Sequence, residues 1–170
     1  MAPRLPVLAC LALAALAGCR ARVPENAHEV SVEVRRVALD PSSGSPVVIL
    51  EERQGNRSLP IWIGFAEASS IASELRHERL PRPNTHDLAR RLIEDLHAAV
   101  ARVVVTELRD GTYYAVLVVE AAGGAFEVDA RPSDAIALAL RTGAPLFVRE
   151  ALFESDPGVP PAPAPDEHST

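Results

Sequence analysis

Residues 129–141 read Asp-Ala-Arg-Pro-Ser-Asp-Ala-Ile-Ala-Leu-Ala-Leu-Arg, and in this stretch a strand becomes a helix. Just before it, apolar and acidic residues alternate from Phe126 to Asp129, which is the period of a strand with one buried face. Pro132 ends that strand because it has no N–H to donate, and its fixed φ suits the first position of a helix. The helix is apolar on every side from Ala135 to Leu140, so we expect it to be buried. Gly143 is a typical signal for its end.

Four polar residues gather where this strand turns into the helix: Asp129, Arg131, Ser133 and Asp134. The free N–H groups and the positive dipole end of the helix face them, and this geometry can hold a phosphate. The same residues can equally cap the helix and pair with one another, because first-turn acids and capping hydroxyls are common at helix starts. The stretch alone leaves both interpretations open.

Periodicity extends the pattern outward in both directions. Period-two segments predict strands, and two segments of period about 3.6 predict further helices, one starting after Gly64 and one with Thr85 as its N-cap. We expect Leu88, Ala89, Leu92, Ile93 and Leu96 to lie on the buried side of the second of these helices. Strands and helices are segregated rather than strictly alternating. The predicted fold class is therefore α+β, with a mixed, largely antiparallel β-sheet and about three main helices packed on it.

The N-terminal segment predicts export. An apolar run from Leu5 to Leu16 is too short to span a bilayer and has the length of a signal peptide. It ends Leu-Ala-Gly-Cys at Cys19, which resembles the lipobox of bacterial lipoproteins, whose cysteine is lipidated and becomes N-terminal after cleavage. An ordinary cleaved signal or a misplaced start is the alternative. With Arg20 after the cysteine, the pattern resembles lipoproteins sent to the outer membrane, so we expect a lipid-anchored protein of the bacterial envelope.

These signals divide the chain into four parts: a lipoprotein signal peptide at 1–18, a lipidated Cys and linker at 19–28, one folded domain at 29–154, and a disordered tail rich in Pro, Ala and acid at 155–170. The hydrophobic fraction of 48% is enough for a core. The formal net charge is −6, so the whole molecule does not attract nucleic acid, and such binding would need a local basic patch.

Several kinds of chemistry find no support in the pattern. If Cys19 is lipidated, the mature chain has no thiol left for catalysis. Ser133 lies in a helix start with no Gly-x-Ser-x-Gly motif around it. His86 and His97 fall on one helix, but 11 residues place them roughly 16 Å apart, too far to share a zinc ion.

What remains is a set of carboxylates with basic neighbours near helix starts. The acids are Glu67, Asp87, Asp129 and Asp134, and their neighbours are His86, Arg82 and Arg131. Paired carboxylates are what a divalent cation such as Mg²⁺ needs, and His86 can act as base or acid near neutral pH. On spacing alone these residues can also be no more than caps and ion pairs.

Four blocks in order resemble the bifunctional nuclease domain family: Pro60-Ile-Trp-Ile-Gly64 with Glu67-Ala68, Pro81-Arg-Pro with Thr85-His-Asp-Leu88, Asp110-Gly-Thr-Tyr-Tyr-Ala115, and the stretch 129–141. The likeness runs from about Val30 to Phe153. It implies an α+β domain with a mixed sheet, able to form a homodimer, and a nuclease activity on DNA and RNA. The lipobox and the Pro-rich tail depart from the family pattern.

We therefore predict a nuclease that hydrolyses phosphodiesters with a divalent metal, Mg²⁺ or Mn²⁺, and is lipid-anchored in the envelope. His86, Asp129 and Asp134 are the predicted catalytic residues. Glu67, Asp87, Asp129 and Asp134 are the predicted metal ligands, and Arg82, Arg131 and Ser133 are the predicted phosphate contacts. The alternatives are a non-catalytic binding or scaffolding domain of the same fold, and an anion sensor at the membrane. Convergence of the polar blocks on one open cleft would favour the enzyme.

Overall fold

A computed structural model describes residues 28–155 of the chain. The predicted signal peptide, the lipidated Cys19 and nearly all of the predicted tail lie outside the described residues and stay predictions. The described part contains seven strands and four helices: β1 Glu29–Leu39, β2 Pro46–Glu52, β3 Ser58–Trp62, α1 Phe65–Leu75, α2 Thr85–Asp95, β4 Ala99–Arg109, β5 Thr112–Ala121, β6 Gly124–Ala130, α3 Pro132–Thr142, β7 Leu146–Arg149 and α4 Ala151–Ser155. The predicted α+β class with three main helices is confirmed.

The strands form one mixed sheet in the order β3-β2-β1-β7-β4-β5-β6. Two antiparallel meanders, β1-β2-β3 and β4-β5-β6, lie on either side of β7. β7 pairs antiparallel with β1 and parallel with β4, and this is the only parallel pair among the described strands. A parallel pair needs a long crossover connection. Here the chain between β4 and β7 includes two more strands and α3.

The core joins the sheet to α1 and α3 in one cluster. Ile71 of α1 and Ile136 of α3 are fully buried, together with Val32, Leu50 and Val103 from the sheet. α3 packs against α1, α2, β4 and β5, so it is the central helix of the domain. Its apolar residues from Ala135 to Ala139 are buried on all sides, as predicted. The small side chains allow the close approach of several neighbours.

α3 begins and ends where the sequence predicts. Pro132 is its first residue, after Arg131 in extended conformation. Gly143 follows its last turn with φ of 70°, a left-handed conformation that costs glycine little. A tight hairpin turn joins β4 to β5 at Asp110 and Gly111, where both residues have positive φ and Arg109 pairs with Thr112.

Two predictions about α2 are wrong. Its N-cap is Asn84 rather than Thr85: the Asn84 side chain accepts from the backbone N–H of Asp87, whose carboxylate accepts in return from the backbone N–H of Asn84. The three leucines of the predicted buried side are exposed, with exposed fractions of 54% for Leu88, 53% for Leu92 and 76% for Leu96. Ala89 and Ile93 do pack against the core as predicted, and the side of α2 that packs on α3 also carries the buried His86.

Among residues 28–155, no helix is both long and apolar enough to cross a bilayer.

Candidate active site

Three helices bring polar side chains to one cavity of about 370 Å³. We call it the first cavity. α1 supplies Glu67 and Ser70, the start of α2 supplies His86, and the start of α3 supplies Asp134, with Arg131 just before it. These five residues form what we call the Arg131 cluster. The helices meet there because α1 and α2 both pack on the buried α3.

Arg131 links the two carboxylates of the cluster. Its Nη2 donates to Glu67 Oε1 at 2.8 Å and to Asp134 Oδ1 at 3.0 Å, and its Nε donates to Asp134 Oδ2 at 2.7 Å. The hydrogen bonds that Arg131 donates to Asp134 and then to Glu67 raise the pKa of Arg131. The pKa of Glu67 is lowered, first by its own backbone N–H and then by Arg131. Nη1 of Arg131 has no partner within the described part of the chain, so it can donate to a ligand.

Asp134 connects Arg131 to the histidine. Oδ1 of Asp134 lies 3.1 Å from Nε2 of His86, whose imidazole is otherwise buried in the wall of the cavity. Burial of the Asp134 carboxyl raises its pKa, but the hydrogen bonds from Arg131 and His86 and the charge of Arg131 outweigh burial and lower it. Asp134 is thus an ionised carboxylate that accepts from two side chains.

Ser70 fixes the tautomer of His86. The Ser70 hydroxyl oxygen accepts from Asn84 Nδ2 and from Arg141 Nη2, both at 3.0 Å. A hydroxyl has two acceptor lone pairs and one hydrogen, so with both lone pairs engaged it donates its hydrogen to His86 Nδ1, 2.8 Å away. The proton of the neutral ring therefore sits on Nε2 and points at Asp134.

The hydrogen bonds of the Ser70 hydroxyl also exclude a nucleophilic role for this residue. Its oxygen makes three hydrogen bonds besides its bond to Cβ, and its side chain is buried in the wall. No lone pair is left to attack a substrate. Ser70 orients His86 instead.

The buried Arg141 side chain stabilises the arrangement of Ser70 and His86. It is only 3% exposed and donates to Asp87 Oδ1 at 2.7 Å, to the Ser70 carbonyl at 3.2 Å and to the Ala137 carbonyl at 3.1 Å. Burial raises the pKa of Asp87, but hydrogen bonds from Arg141 and from the Asn84 backbone N–H lower it below its usual range. Asp87 caps α2 and pairs with Arg141, and it does not line the first cavity.

The other predicted site residues lie outside the Arg131 cluster. Asp129 is exposed on β6, opposite Val116 of β5, and its carboxylate makes no hydrogen bond or ion pair with residues 28–155. Arg82 is exposed and is likewise unpaired within that range. Ser133 is buried and lines a second cavity beside the first. The structure thus brings together Glu67, His86, Arg131 and Asp134, but not Asp87, Asp129, Arg82 or Ser133.

Comparison with known proteins identifies the family of this domain. The sequence model of the bifunctional nuclease domain matches residues 48–158, which include every residue of the Arg131 cluster. The chain belongs to the bifunctional nuclease domain family. It is 43% identical over 122 residues to an uncharacterized protein of Mycobacterium tuberculosis, covering 72% of this chain and 73% of that protein.

Plant relatives of this bifunctional nuclease domain are more distant. Bifunctional nuclease 1 of Oryza sativa is 28% identical over 132 residues, covering 75% of this chain and 40% of the rice protein. Bifunctional nuclease 1 of Arabidopsis thaliana is 28% identical over 115 residues, covering 65% of this chain and 35% of that protein. The chain therefore spans less than half of the length of these plant proteins, whose names state a nuclease activity.

The predicted metal ligands of this bifunctional nuclease domain are not assembled as a cation site. Across residues 28–155, no group of three or more His, Cys, Asp or Glu side chains is placed to hold a metal ion. The two carboxylates that do come together, Glu67 and Asp134, are joined by the guanidinium of Arg131. In this arrangement the residues do not fit a divalent cation. They fit a group that accepts hydrogen bonds from Arg131.

Sequence reasoning missed three members of the site's hydrogen-bond network: Ser70, Asn84 and Arg141. Ser70 lies among the apolar residues of α1 and carries no local signal. Arg141 reads as a basic residue in the last turn of a helix, although its side chain is buried. Asn84 does have a signal, since Asn is a preferred N-cap and Asp87 stands at the third helical position.

Proposed function

We propose that this domain cleaves phosphodiester bonds of DNA or RNA at the first cavity. The observation that carries the proposal is the hydrogen bond between Nε2 of His86 and Oδ1 of Asp134, beside an arginine with an unused Nη1, in the wall of an open cavity. Polar groups from three of the four sequence blocks converge there, as an enzyme requires. Membership of the bifunctional nuclease domain family supports the same reaction class.

Each member of the Arg131 cluster has a role in this proposal. Nη1 of Arg131 binds a non-bridging phosphate oxygen, because a guanidinium matches phosphate in charge and geometry. Glu67, held at 2.8 Å from Arg131, takes the proton of the attacking water. The ionised Asp134 carboxylate accepts the Nε2 proton of His86 in a hydrogen bond, and this pair holds Arg131 in the orientation that binds the phosphate.

The reaction balances without a further group. The water oxygen forms the new bond to phosphorus, and the bond to the leaving oxygen breaks. The water proton goes to Glu67, and a solvent water protonates the leaving oxygen. Glu67 then gives its proton to the hydroxide that this second step leaves.

The test is cleavage of end-labelled single-stranded DNA and RNA by the purified full-length chain, with Mg²⁺, with Mn²⁺ and with a chelator. We expect His86→Ala and Asp134→Asn to slow cleavage by about 10²-fold, because both variants leave Arg131 misplaced for binding the phosphate. Asp129→Asn is the matched control, since Asp129 has the same side chain outside the cluster. It should cleave at the rate of the unmodified chain.

Equal cleavage by the Asp134→Asn and Asp129→Asn variants would overturn the assignment and favour the non-catalytic scaffold. Loss of cleavage in the chelator would support the predicted metal requirement. Cleavage that persists in the chelator would remove it.

We also propose that the domain forms a homodimer through α2. Leu88, Leu92 and Leu96 form an exposed stripe, flanked by Arg91 and Asp95, which have no partners within residues 28–155. Two α2 helices packed antiparallel about a twofold axis near Leu92 bring Leu88 of one against Leu96 of the other. Arg91 then lies within about 3 Å, along the axis, of Asp95 in the second copy. The stripe and its charges are self-complementary.

We propose that Cys19 anchors the domain to the bacterial envelope, with the outer membrane as the expected location. The lipobox-like sequence and the short linker support this proposal. Radioactive palmitate should label the full-length chain in bacteria and should not label a Cys19→Ser variant. Equal labelling of both would refute it.

A further inference from the structure

A second cavity of about 390 Å³ lies next to the first. Trp62 at the end of β3, Thr112 and Tyr113 at the start of β5, and Ser133 of α3 line it. Trp62 and Tyr113 belong to two of the sequence blocks that carry the family resemblance, yet the proposed chemistry uses neither. The cavity therefore contains polar and aromatic groups without an assigned role.

Arg131 lines both cavities. A phosphate bound to its guanidinium in the first cavity is consequently in contact with the entrance to the second. In a nucleic acid strand, the base of the adjoining nucleotide is the next group along the chain. The shared arginine makes the second cavity the natural place for that base.

Trp62 is built as a stacking surface. It is 50% exposed, which is unusual for so large an apolar side chain, and its indole Nε1 donates to Asp40 Oδ2 at 3.0 Å. Asp40 is itself held by the hydroxyls of Ser42 and Ser43, at 2.7 and 2.8 Å. The ring is thus fixed in orientation while one side stays open, so stacking on it orders no further side chain.

We propose that the second cavity is a nucleobase subsite, in which a base of single-stranded nucleic acid stacks on Trp62 next to the bond that is cut. The inference rests on the proposed function, because it needs Arg131 to bind the phosphate. A duplex keeps its bases stacked and paired inside, so the subsite selects single strands. Every base has an aromatic face, so the selection is for exposed bases rather than for a sequence.

The only Trp in the sequence is Trp62, so the intrinsic tryptophan fluorescence of the full-length chain reports on this cavity alone. The probes are a ten-residue oligothymidylate, a ten-residue abasic strand with the same phosphates, and a ten-base-pair duplex, all at one salt concentration. We expect saturable quenching by oligothymidylate and none by the abasic strand or the duplex. The His86→Ala variant repeats the titration with cleavage disabled.

Affinity is measured separately, by anisotropy of the labelled oligothymidylate. Trp62→Leu should weaken binding about tenfold, the usual effect of losing one base–aromatic stack, while Trp62→Phe should stay within about threefold of the unmodified chain. Val128→Ala, at an exposed apolar residue of β6 that lines neither cavity, is the control and should bind normally. Equal binding by Trp62→Leu and the unmodified chain, or equal binding of the abasic strand, would overturn the subsite.

The two proposals fail separately. If His86→Ala stops cleavage but Trp62→Leu binds normally, the nuclease stands and the subsite is wrong. If no variant changes cleavage but Trp62→Leu loses affinity, the subsite stands as a ligand site and the nuclease is wrong.

Discussion

The hydroxyl of Ser70 lies 2.8 Å from Nδ1 of His86, and this bond determines which nitrogen of the imidazole carries the proton. Because Asn84 and Arg141 occupy the acceptor positions of the hydroxyl, Ser70 can only donate to the ring. The position of the proton that faces Asp134 is therefore set by Ser70, Asn84 and Arg141, which make no hydrogen bond to Asp134 themselves. The chemistry of the site depends on this supporting layer as well as on the cluster itself.

Replacing Ser70 tests that dependence directly. Ser70→Ala leaves Nδ1 of His86 without its donor, so the ring can take the other tautomer and lose its bond to Asp134. We expect cleavage to fall by about tenfold to a hundredfold, since loss of the bond between His86 and Asp134 loosens the carboxylate that positions Arg131. Nitrogen-15 shifts of the imidazole should show the proton on Nε2 in the unmodified chain and a mixture of tautomers in the variant.

Ser73→Ala is the matched control for this change. Ser73 is one turn further along α1, is equally buried and donates only to the Ser70 carbonyl, at 3.0 Å. Its loss should leave the His86 tautomer unchanged. A Ser70→Ala variant with the same nitrogen-15 spectrum as Ser73→Ala would show that Ser70 has no orienting role.

Arg141 should matter for stability more than any exposed arginine. Arg141→Met leaves Asp87 as a poorly compensated, partly buried carboxylate and removes the donor to Ser70, so we expect the free energy of unfolding to fall by about 3 kcal/mol. Urea denaturation measures the loss. Arg90→Met breaks the exposed pair with Glu94 and should cost about 0.5 kcal/mol or less. Similar losses in the two variants would contradict the structural role of Arg141.

Stability should fall in acid. The carboxyl groups of Glu67, Asp87 and Asp134 have lowered pKa values in the folded domain. Their contribution to stability is present above the unfolded-state pKa, about 4, and is lost as the pH falls through the folded-state values. The free energy of unfolding should therefore be nearly constant from about pH 7 to 5 and decline below about pH 4. Asp134→Asn should make this decline shallower than Asp129→Asn does, and equal slopes would contradict the pairing of Asp134.

The N-cap of α2 can be located by two alanine substitutions. Asn84→Ala removes one half of the capping box and a bond to Ser70, and should cost about 1 kcal/mol or somewhat more. Thr85→Ala changes an exposed side chain outside the cap and should change stability by less than about 0.5 kcal/mol. Thermal unfolding followed by circular dichroism compares the two variants. A larger loss of stability in Thr85→Ala than in Asn84→Ala would favour Thr85 as the N-cap.

The proposed α2 interface predicts a charge-dependent change in mass. Leu92→Glu places two like charges at the twofold axis and should convert a dimer to a monomer in sedimentation experiments. Arg91→Asp together with Asp95→Arg exchanges the flanking charges and should preserve the dimer, whereas Arg91→Asp alone should weaken it. A single species of unchanged mass in all variants would place any dimer contact elsewhere.

Most of the fold was predictable because it rests on local patterns. Alternation identified the strands, and Pro132 and Gly143 marked the ends of α3 through their own backbone preferences. The sides of α2 were not predictable, because its leucines repeat at a spacing that suits a core and a second subunit equally. Only the position of α3 shows which side is covered in one chain.

The site was predictable in part. The charge and position of Glu67, His86, Arg131 and Asp134 at helix starts suggested that they could meet, and they do. Asp129 has the same charge and lies five residues before Asp134, but a strand residue and a helix residue on either side of Pro132 lie in different surroundings. The roles of Ser70 and Arg141 depend on contacts between α1 and α3, which no local pattern contains.

The position of β7 has a consequence for how the protein is made. Four residues, Leu146–Arg149, are all that join the two meanders into one sheet. During synthesis, each meander can pair its own strands as it leaves the ribosome, but the two meanders stay unpaired with each other until β7 emerges. A chain that stops before Leu146 would keep every residue of the Arg131 cluster and still lack the strand that holds its scaffold together. The synthesis of β7 thus decides whether the two meanders become one sheet.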